Sequence, residues 1–171
     1  MEILVFALEL IGACAFAISG ALVGVKRNMD LFGICILGLS TAVGGGVIRD
    51  IILGHTPPAM FTNPIYAIVG LASCLVVLIP QFRKLIARTD IIMMIADAIG
   101  LGIFTASGTM HAIDSGHLNI FLAVFVGVVT GVGGGLLRDT MASVSPYIFS
   151  KHVYATAAIA GHCCCVLYIR M

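Results

Sequence analysis

The chain has 171 residues, of which 60% are hydrophobic and 10% are charged, and its formal net charge is +1. Because a soluble domain carries about 25% charged residues, this composition indicates an integral membrane protein. The small net charge and the absence of a basic run exclude nucleic acid as a partner. The lipid bilayer is therefore the expected surrounding medium.

Six apolar stretches follow one another along the chain, and each approaches the roughly 20 residues that a helix needs to cross a bilayer. Prolines and charged residues separate them, for example at Pro57 and Pro58. Because the loops are short, the sequence predicts an all-α membrane protein with a single transmembrane domain, residues 1–171. The predicted spans are Ile3–Val25, Leu31–Leu53, Pro64–Ile79, Ile91–Met110, Leu118–Met141 and His152–Ile169.

The second half of the chain repeats the first at an offset of 88 or 89 residues. Residues 41–50 read TAVGGGVIRD and residues 130–139 read TGVGGGLLRD. We interpret the chain as a tandem duplication, with one three-span unit in residues 1–83 and the other in residues 89–171. Because three is odd, the second unit must enter the membrane from the opposite face, and such inverted repeats are typical of transport proteins. The alternative is a duplication that only built a packed bundle.

Lysines and arginines are unequally distributed between the two faces of the predicted topology. The face opposite the N-terminus collects seven of them, and the face of the N-terminus collects two. Positive residues mark the cytoplasmic side of a membrane, so the sequence predicts an N-terminus outside the cell. The seven are Lys26, Arg27, Arg83, Lys84, Arg88, Arg138 and Lys151, and the two are Arg49 and Arg170.

Each glycine triplet lies inside a predicted span, where a glycine costs about 1 kcal/mol relative to alanine. The second and fifth spans are therefore predicted to bend or unwind at their triplets. Backbone groups freed in this way are tolerated in a membrane only beside protein or a water-filled cavity, which predicts a polar lumen. The alternative is that the glycines allow close helix packing. The positions are Gly44, Gly45 and Gly46, and Gly133, Gly134 and Gly135.

Charged residues within the spans require partners, because unpaired charges are costly in a membrane. Neighbouring Arg and Asp residues project about 100° apart on a helix, so we expect that they do not simply satisfy each other and that each needs another partner. The repeat places two acidic residues at the depth of the two arginines, which predicts one ion pair on each side of a central constriction. Crossed pairs and interfacial snorkelling are the alternatives. The expected pairs are Glu9 with Arg49 and Asp97 with Arg138, and the arginines are followed by Asp50 and Asp139.

Four hydroxyl residues are weaker candidates for a pore lining, because Ser and Thr in membrane helices often bond to their own backbone or to a neighbouring helix. Two histidines and an acidic residue after the fourth span are expected in a short outer loop, in contact with water rather than with a metal ion. The hydroxyl residues are Ser19, Ser107, Thr41 and Thr130, and the loop residues are His111, Asp114 and His117.

With its two GGGxxRD motifs, its 88-residue repeat and its outside N-terminus, the chain resembles the prokaryotic branch of the trimeric intracellular cation (TRIC) channel family. The resemblance implies a homotrimer in a prokaryotic inner membrane, with a potassium-permeable pore in each protomer lined around kinked second and fifth helices. It also implies a seventh span, which this sequence lacks after its sixth.

Three functions remain open on the sequence alone. The first is a passive channel for a monovalent cation such as K⁺ or Na⁺, and the second is a carrier for a small zwitterion, because the same family is also described as a glycine transporter. The third is a membrane scaffold without transport. No cofactor is expected, and the partners are other copies of the chain and lipid. Without a catalytic triad, a zinc signature or a phosphate loop, the sequence does not indicate an enzyme.

Overall fold

The structure, a computed structural model, describes residues 2–79, 89–116 and 119–146. Within these residues it is all-helical. The predicted sixth span, His152–Ile169, lies outside the described residues, as does His117. The helices are α1 (Glu2–Lys26), α2 (Leu31–Ile52), α3 (Ala59–Thr62), α4 (Ile65–Leu78), α5 (Thr89–Asp114) and α6 (Ile120–Met141).

Four of these helices, α1, α2, α5 and α6, are long and apolar enough to cross a membrane. They confirm the first, second, fourth and fifth predicted spans. The third predicted span becomes the 14-residue helix α4, which follows the single turn of α3. Large apolar side chains such as Phe32 and Phe121 are exposed on the outside of the bundle, as expected for surfaces that face lipid.

Helices α1 and α5 lie side by side and run antiparallel. Glu9, near the start of α1, contacts His111 near the end of α5. At the other end, Lys26 in the last turn of α1 forms an ion pair with Asp90 in the first turn of α5. Small residues along α1, including the fully buried Ala13 and Ala17, allow its neighbours to approach closely.

The two helices that contain the glycine triplets run without interruption. Both α2 and α6 are α-helical through their triplets, so the predicted unwinding was wrong, while the alternative of a bend stays a prediction. Intrinsic propensity is a weak preference that tertiary packing overrides. Within α2, helix formation is further supported by Asp30, whose side chain caps the first turn by accepting a hydrogen bond from the amide of Gly33 at 2.7 Å.

The same C-terminal motif ends both helices. After α2, Gly54 adopts a φ of +76°, and the amide of His55 donates to the carbonyl of Asp50 at 2.8 Å. After α6, Ser143 has a φ of +52°, and the amide of Val144 donates to the carbonyl of Asp139, also at 2.8 Å. These are Schellman caps. They hold each Arg-Asp pair in the last turn of its helix, where the helix dipole favours the arginine.

Candidate functional site

The glycine triplets form the contact at which α2 and α6 cross. A Cβ atom at Gly45 would overlap the carbonyl oxygen of Thr130, and a Cβ atom at Gly134 would overlap the carbonyl oxygen of Thr41. These two contacts are equivalent under the sequence repeat, because residue 45 corresponds to 134 and residue 41 to 130. Gly46 differs, since the nearest atom to its added Cβ would be 4.0 Å away on Arg49. The close-packing alternative therefore accounts for the centre of each triplet.

The first charged cluster surrounds Glu9 and is buried. One oxygen of Glu9 accepts from Arg49 Nη1 at 2.6 Å and lies 3.1 Å from His111 Nε2. The other accepts from the hydroxyl of Tyr66 at 2.7 Å. Helices α1, α2, α4 and α5 each supply one of these residues, so the carboxylate joins four elements. The predicted Glu9–Arg49 pair is confirmed, and its 3% exposure excludes snorkelling for Glu9.

The second cluster surrounds Arg138, whose side chain is fully buried. Its Nη1 donates to Asp97 at 2.5 Å and to the hydroxyl of Ser19 at 2.5 Å. The predicted Asp97–Arg138 pair is therefore confirmed, and the crossed pairing is wrong. Ser19 lies ten residues after Glu9 on α1, so the two clusters are separated by about 15 Å along that helix.

Neighbouring Arg and Asp contact each other at both sites, which the sequence did not predict, and each arginine also has the further partner that the sequence did predict. Arg49 Nε donates to Asp50 at 2.8 Å, and Arg138 Nε donates to Asp139 at the same distance. The planar guanidinium has donors on two edges, so one arginine can serve its sequence neighbour and a residue on another helix together. The second oxygen of Asp50 accepts from the amide of Ala59 at 2.8 Å, which ties α3 to the cluster.

An aromatic pair lies between the clusters. The rings of Phe16 and Phe104 stack with centroids 5.4 Å apart and an interplanar angle of 19°. The two positions correspond under the repeat, and each ring rests against the glycine that precedes its partner, because Gly12 faces Phe104 and Gly100 faces Phe16. On α1, Phe16 lies between Glu9 and Ser19. The stack therefore separates the two charged clusters along the axis.

Each cluster borders a cavity at one end of α1. A cavity of about 370 Å³ lies beside Glu9, and one of about 300 Å³ lies beside Asp139. A small space of about 20 Å³ touches Glu9, Gly46 and Arg49, and is large enough for about one water molecule. The first cavity is lined by Val5, Phe6, Glu9, Tyr66, Met110, His111 and Asp114, and the second by Val23, Lys26, Arg27, Met93, Asp139 and Val144.

The hydroxyl candidates have different roles. Thr41 and Thr130 donate to carbonyls four residues earlier in their own helices, each at 2.6 Å. Only Ser19 joins a charged cluster. Ser107, its repeat equivalent, and Thr105 are buried and have no hydrogen-bond partner among the described residues.

Sequence reasoning missed two members of the Glu9 cluster. His111 was expected in a solvated loop, but α5 continues to Asp114 and places the imidazole beside Glu9. That expectation was wrong because the helix extends four residues beyond the predicted span. Tyr66 matches Tyr154 in the repeat alignment, and the presence of a tyrosine at this position in both copies of the sequence was the signal that could have identified it.

One known protein family matches the chain twice, once in each half. The family described as "Glycine transporter" matches residues 6–81 and again residues 94–170. A UPF0126 membrane protein of Deinococcus radiodurans is 43% identical over 156 residues, which cover 90% of this chain and 71% of that protein. The UPF0126 inner membrane protein YadS of Escherichia coli is 40% identical over 160 residues, covering 92% of this chain and 75% of YadS.

Solved structures with the same fold are TRIC channels. The TRIC orthologue from Rhodobacter sphaeroides aligns with a TM-score of 0.83 and 35% identity, covering 93% of this chain and 80% of that one. A prokaryotic TRIC channel solved in 0.5 M KCl aligns with a TM-score of 0.87 and 33% identity, covering 95% and 82%. The chain is therefore a membrane protein of the glycine transporter family and a prokaryotic member of the TRIC family.

Proposed function

We propose that the chain is a potassium-permeable channel for monovalent cations, with a separate pore through each protomer of a homotrimer. The structures that resemble it over more than nine-tenths of its length are described as cation channels, and one is described as trimeric. No cofactor is part of this proposal, and the transported ion is K⁺ or Na⁺. In this proposal, the protein is a channel and not an enzyme.

The observation that carries the proposal is the pair of buried charged clusters at opposite ends of α1. Two carboxylates and one guanidinium in each cluster leave a formal charge of −1, if histidine is neutral. Buried charges in a membrane protein mark ion pathways, because they are too costly to retain for packing alone. Negative clusters at both ends attract cations and repel anions.

In the proposed pathway, ions enter one cavity, pass a charged cluster, cross the central aromatic region and leave through the other cavity. Arg49 and Arg138 fill the space beside their carboxylates, and Phe16 and Phe104 fill the space between the clusters. Conduction therefore requires these side chains to move aside. The central crossing of α2 and α6 is the fixed support against which they move, because its glycine contacts leave no free space.

We also propose that the two halves form an inverted repeat, with the N-terminus outside the inner membrane. The antiparallel course of α1 and α5 supports this, because they are equivalent elements of the two units. The reciprocal contacts of Gly45 and Gly134 support it further. The positive residues Lys26 and Arg27 lie at the end of α1 and support a cytoplasmic location for that end, because positive residues mark the cytoplasmic side of a membrane.

Currents across planar bilayers containing the purified protein test the proposal. We expect a potassium current that Asp97→Asn reduces, because that change removes a negative charge from a buried cluster. Asp90→Asn is the matched control, since it removes an 82% exposed acid from the same helix and is expected to leave the current nearly unchanged. Glycine uptake into proteoliposomes without potassium current would contradict the channel and favour the carrier.

A further inference from the structure

The two cavities share equivalent positions of the repeat in their linings, but the side chains at these positions differ in chemistry. Val5 and Met93 correspond at an offset of 88 and line the first and second cavity respectively. At the same offset, His111 in the first cavity corresponds to Val23 in the second. An ionisable side chain therefore occupies a position at one end that an aliphatic side chain occupies at the other.

His111 lies where a change in its charge acts on the cluster. Its Nε2 atom is 3.1 Å from Glu9, and 35% of its side chain is exposed, so protons reach it from the cavity. Glu9 is also bound by Arg49, and Arg49 by Asp50. The other groups facing this region are the hydroxyl of Tyr66 from α4 and Asp114 from α5, while His55 reaches Ser115 at 3.3 Å.

Protonation of His111 would cancel the formal negative charge of the Glu9 cluster. Glu9, Asp50 and Arg49 sum to −1, and a positive imidazole brings the sum to zero. It also adds a second positive partner for Glu9, which strengthens the contact that closes the pathway. Histidine is the side chain whose charge ordinarily changes between about pH 5 and 8. Val23, which takes the equivalent position beside Asp139, has no ionisable group.

We infer that His111 binds a proton and lowers cation conduction when the cavity beside Glu9 becomes acidic. Acid in the opposite cavity has no such effect at the equivalent position, because Val23 does not bind protons. This inference rests on the proposed channel function. The protein is thereby expected to sense pH from one face of the membrane, although its two halves share one architecture.

Single-channel recording with separate buffers on the two sides tests this inference. Lowering the pH from 8 to 5.5 on the side of the cavity beside Glu9 should reduce the potassium current roughly three- to tenfold, because the local cation concentration follows the charge of the site. The same change on the other side should leave it nearly constant. His111→Val, which copies Val23, should remove the response, and Val23→His should create a response from the second side. Wild-type and His111→Val channels with equal pH responses would overturn the inference.

Two controls identify the residue responsible. His55→Gln changes an exposed histidine at the same end of the molecule and should preserve the wild-type response. His111→Gln keeps a hydrogen-bonding side chain at the position, so it replaces His111→Val if the valine variant fails to fold, and it should also be insensitive to pH. Loss of the pH response in His55→Gln would show that His55, and not His111, is the residue responsible, and it would overturn the inference.

A measurement without current separates this inference from the proposed function. Acidification from pH 8 to 5.5 should raise the melting temperature of the wild-type protein relative to His111→Val, because protonated His111 gains an ion pair with Glu9. Absence of potassium current at every pH would refute the channel proposal. Equal melting shifts in the two proteins would refute the role of His111, whether or not the channel proposal holds.

Discussion

At the scale of single residues, the arginines organise the charged clusters. Arg138 is fully buried and donates to Asp97, Asp139 and Ser19. A buried charge is stable only while its partners remain, because removal of one partner leaves the other uncompensated. The exposed Lys26–Asp90 pair is a different case, since water screens it and such pairs contribute little.

A double-mutant cycle measures this difference. Asp97→Ala or Arg138→Ala should each cost about 3 to 5 kcal/mol of folding stability, and the double variant should cost much less than their sum. Lys26→Ala, the control at an exposed pair, should cost less than about 1 kcal/mol. Thermal unfolding in detergent provides the comparison. Additive losses at Asp97 and Arg138 would show that their contact contributes no coupling energy.

The repeat and the depth of the charges predicted that each arginine has a buried acid as its partner, because charges in an apolar span have few other partners. They favoured the observed pairs and left the crossed pairs as an alternative. They could not predict that Arg49 also binds Asp50, since that contact depends on how a long flexible side chain folds back along its own helix. His111 was missed for another reason. Its assignment depended on where α5 ends, and helix boundaries are the least certain feature of a sequence-based prediction.

At the scale of helices, packing rather than backbone exposure explains the centre of the glycine triplets. Both α2 and α6 keep their helical hydrogen bonding through three consecutive glycines. The unfavourable propensity of glycine is offset where two backbones approach closely, as at Gly45 and Gly134. The sequence contained both interpretations, and only the positions of the neighbouring helix decide between them.

Alanine substitutions separate these two effects. Gly45→Ala or Gly134→Ala should force α2 and α6 apart and lower the melting temperature, because the added methyl meets a backbone carbonyl that cannot move alone. Gly102→Ala should raise the melting temperature, because alanine is the better helix former by up to about 1 kcal/mol. A Cβ atom at Gly102 would meet no described atom within 4 Å, so the added methyl has space. A rise in melting temperature for Gly45→Ala would contradict the close-packing account.

At the scale of the whole molecule, one plan of contacts is used twice, with different chemistry at the two ends. Among the described residues, the Glu9 cluster includes His111, whereas the Arg138 cluster includes Ser19. The cavity beside Glu9 is lined by Asp114, and the cavity beside Asp139 is lined by Lys26 and Arg27. A duplicated architecture can therefore distinguish the two faces of a membrane through a few substituted side chains.

The proposed topology assigns these ends to defined sides of the membrane. In a background without native cysteines, Asn28→Cys should react with an impermeant thiol reagent only from the cytoplasm, because it lies in the turn after Lys26. His55→Cys, an exposed position at the opposite end of α1, should react only from outside. Reaction of both cysteines from the same side would exclude the proposed orientation.

We propose that the two negative clusters make the membrane domain conduct cations rather than anions. The reversal potential of purified channels in a tenfold KCl gradient tests it most directly, because it reports which ion carries the current independently of how many channels are open. A cation-selective channel should give a reversal potential close to the potassium equilibrium value, about 59 mV in magnitude at 25 °C for a monovalent ion. A reversal potential near zero, or close to the chloride value, would contradict it.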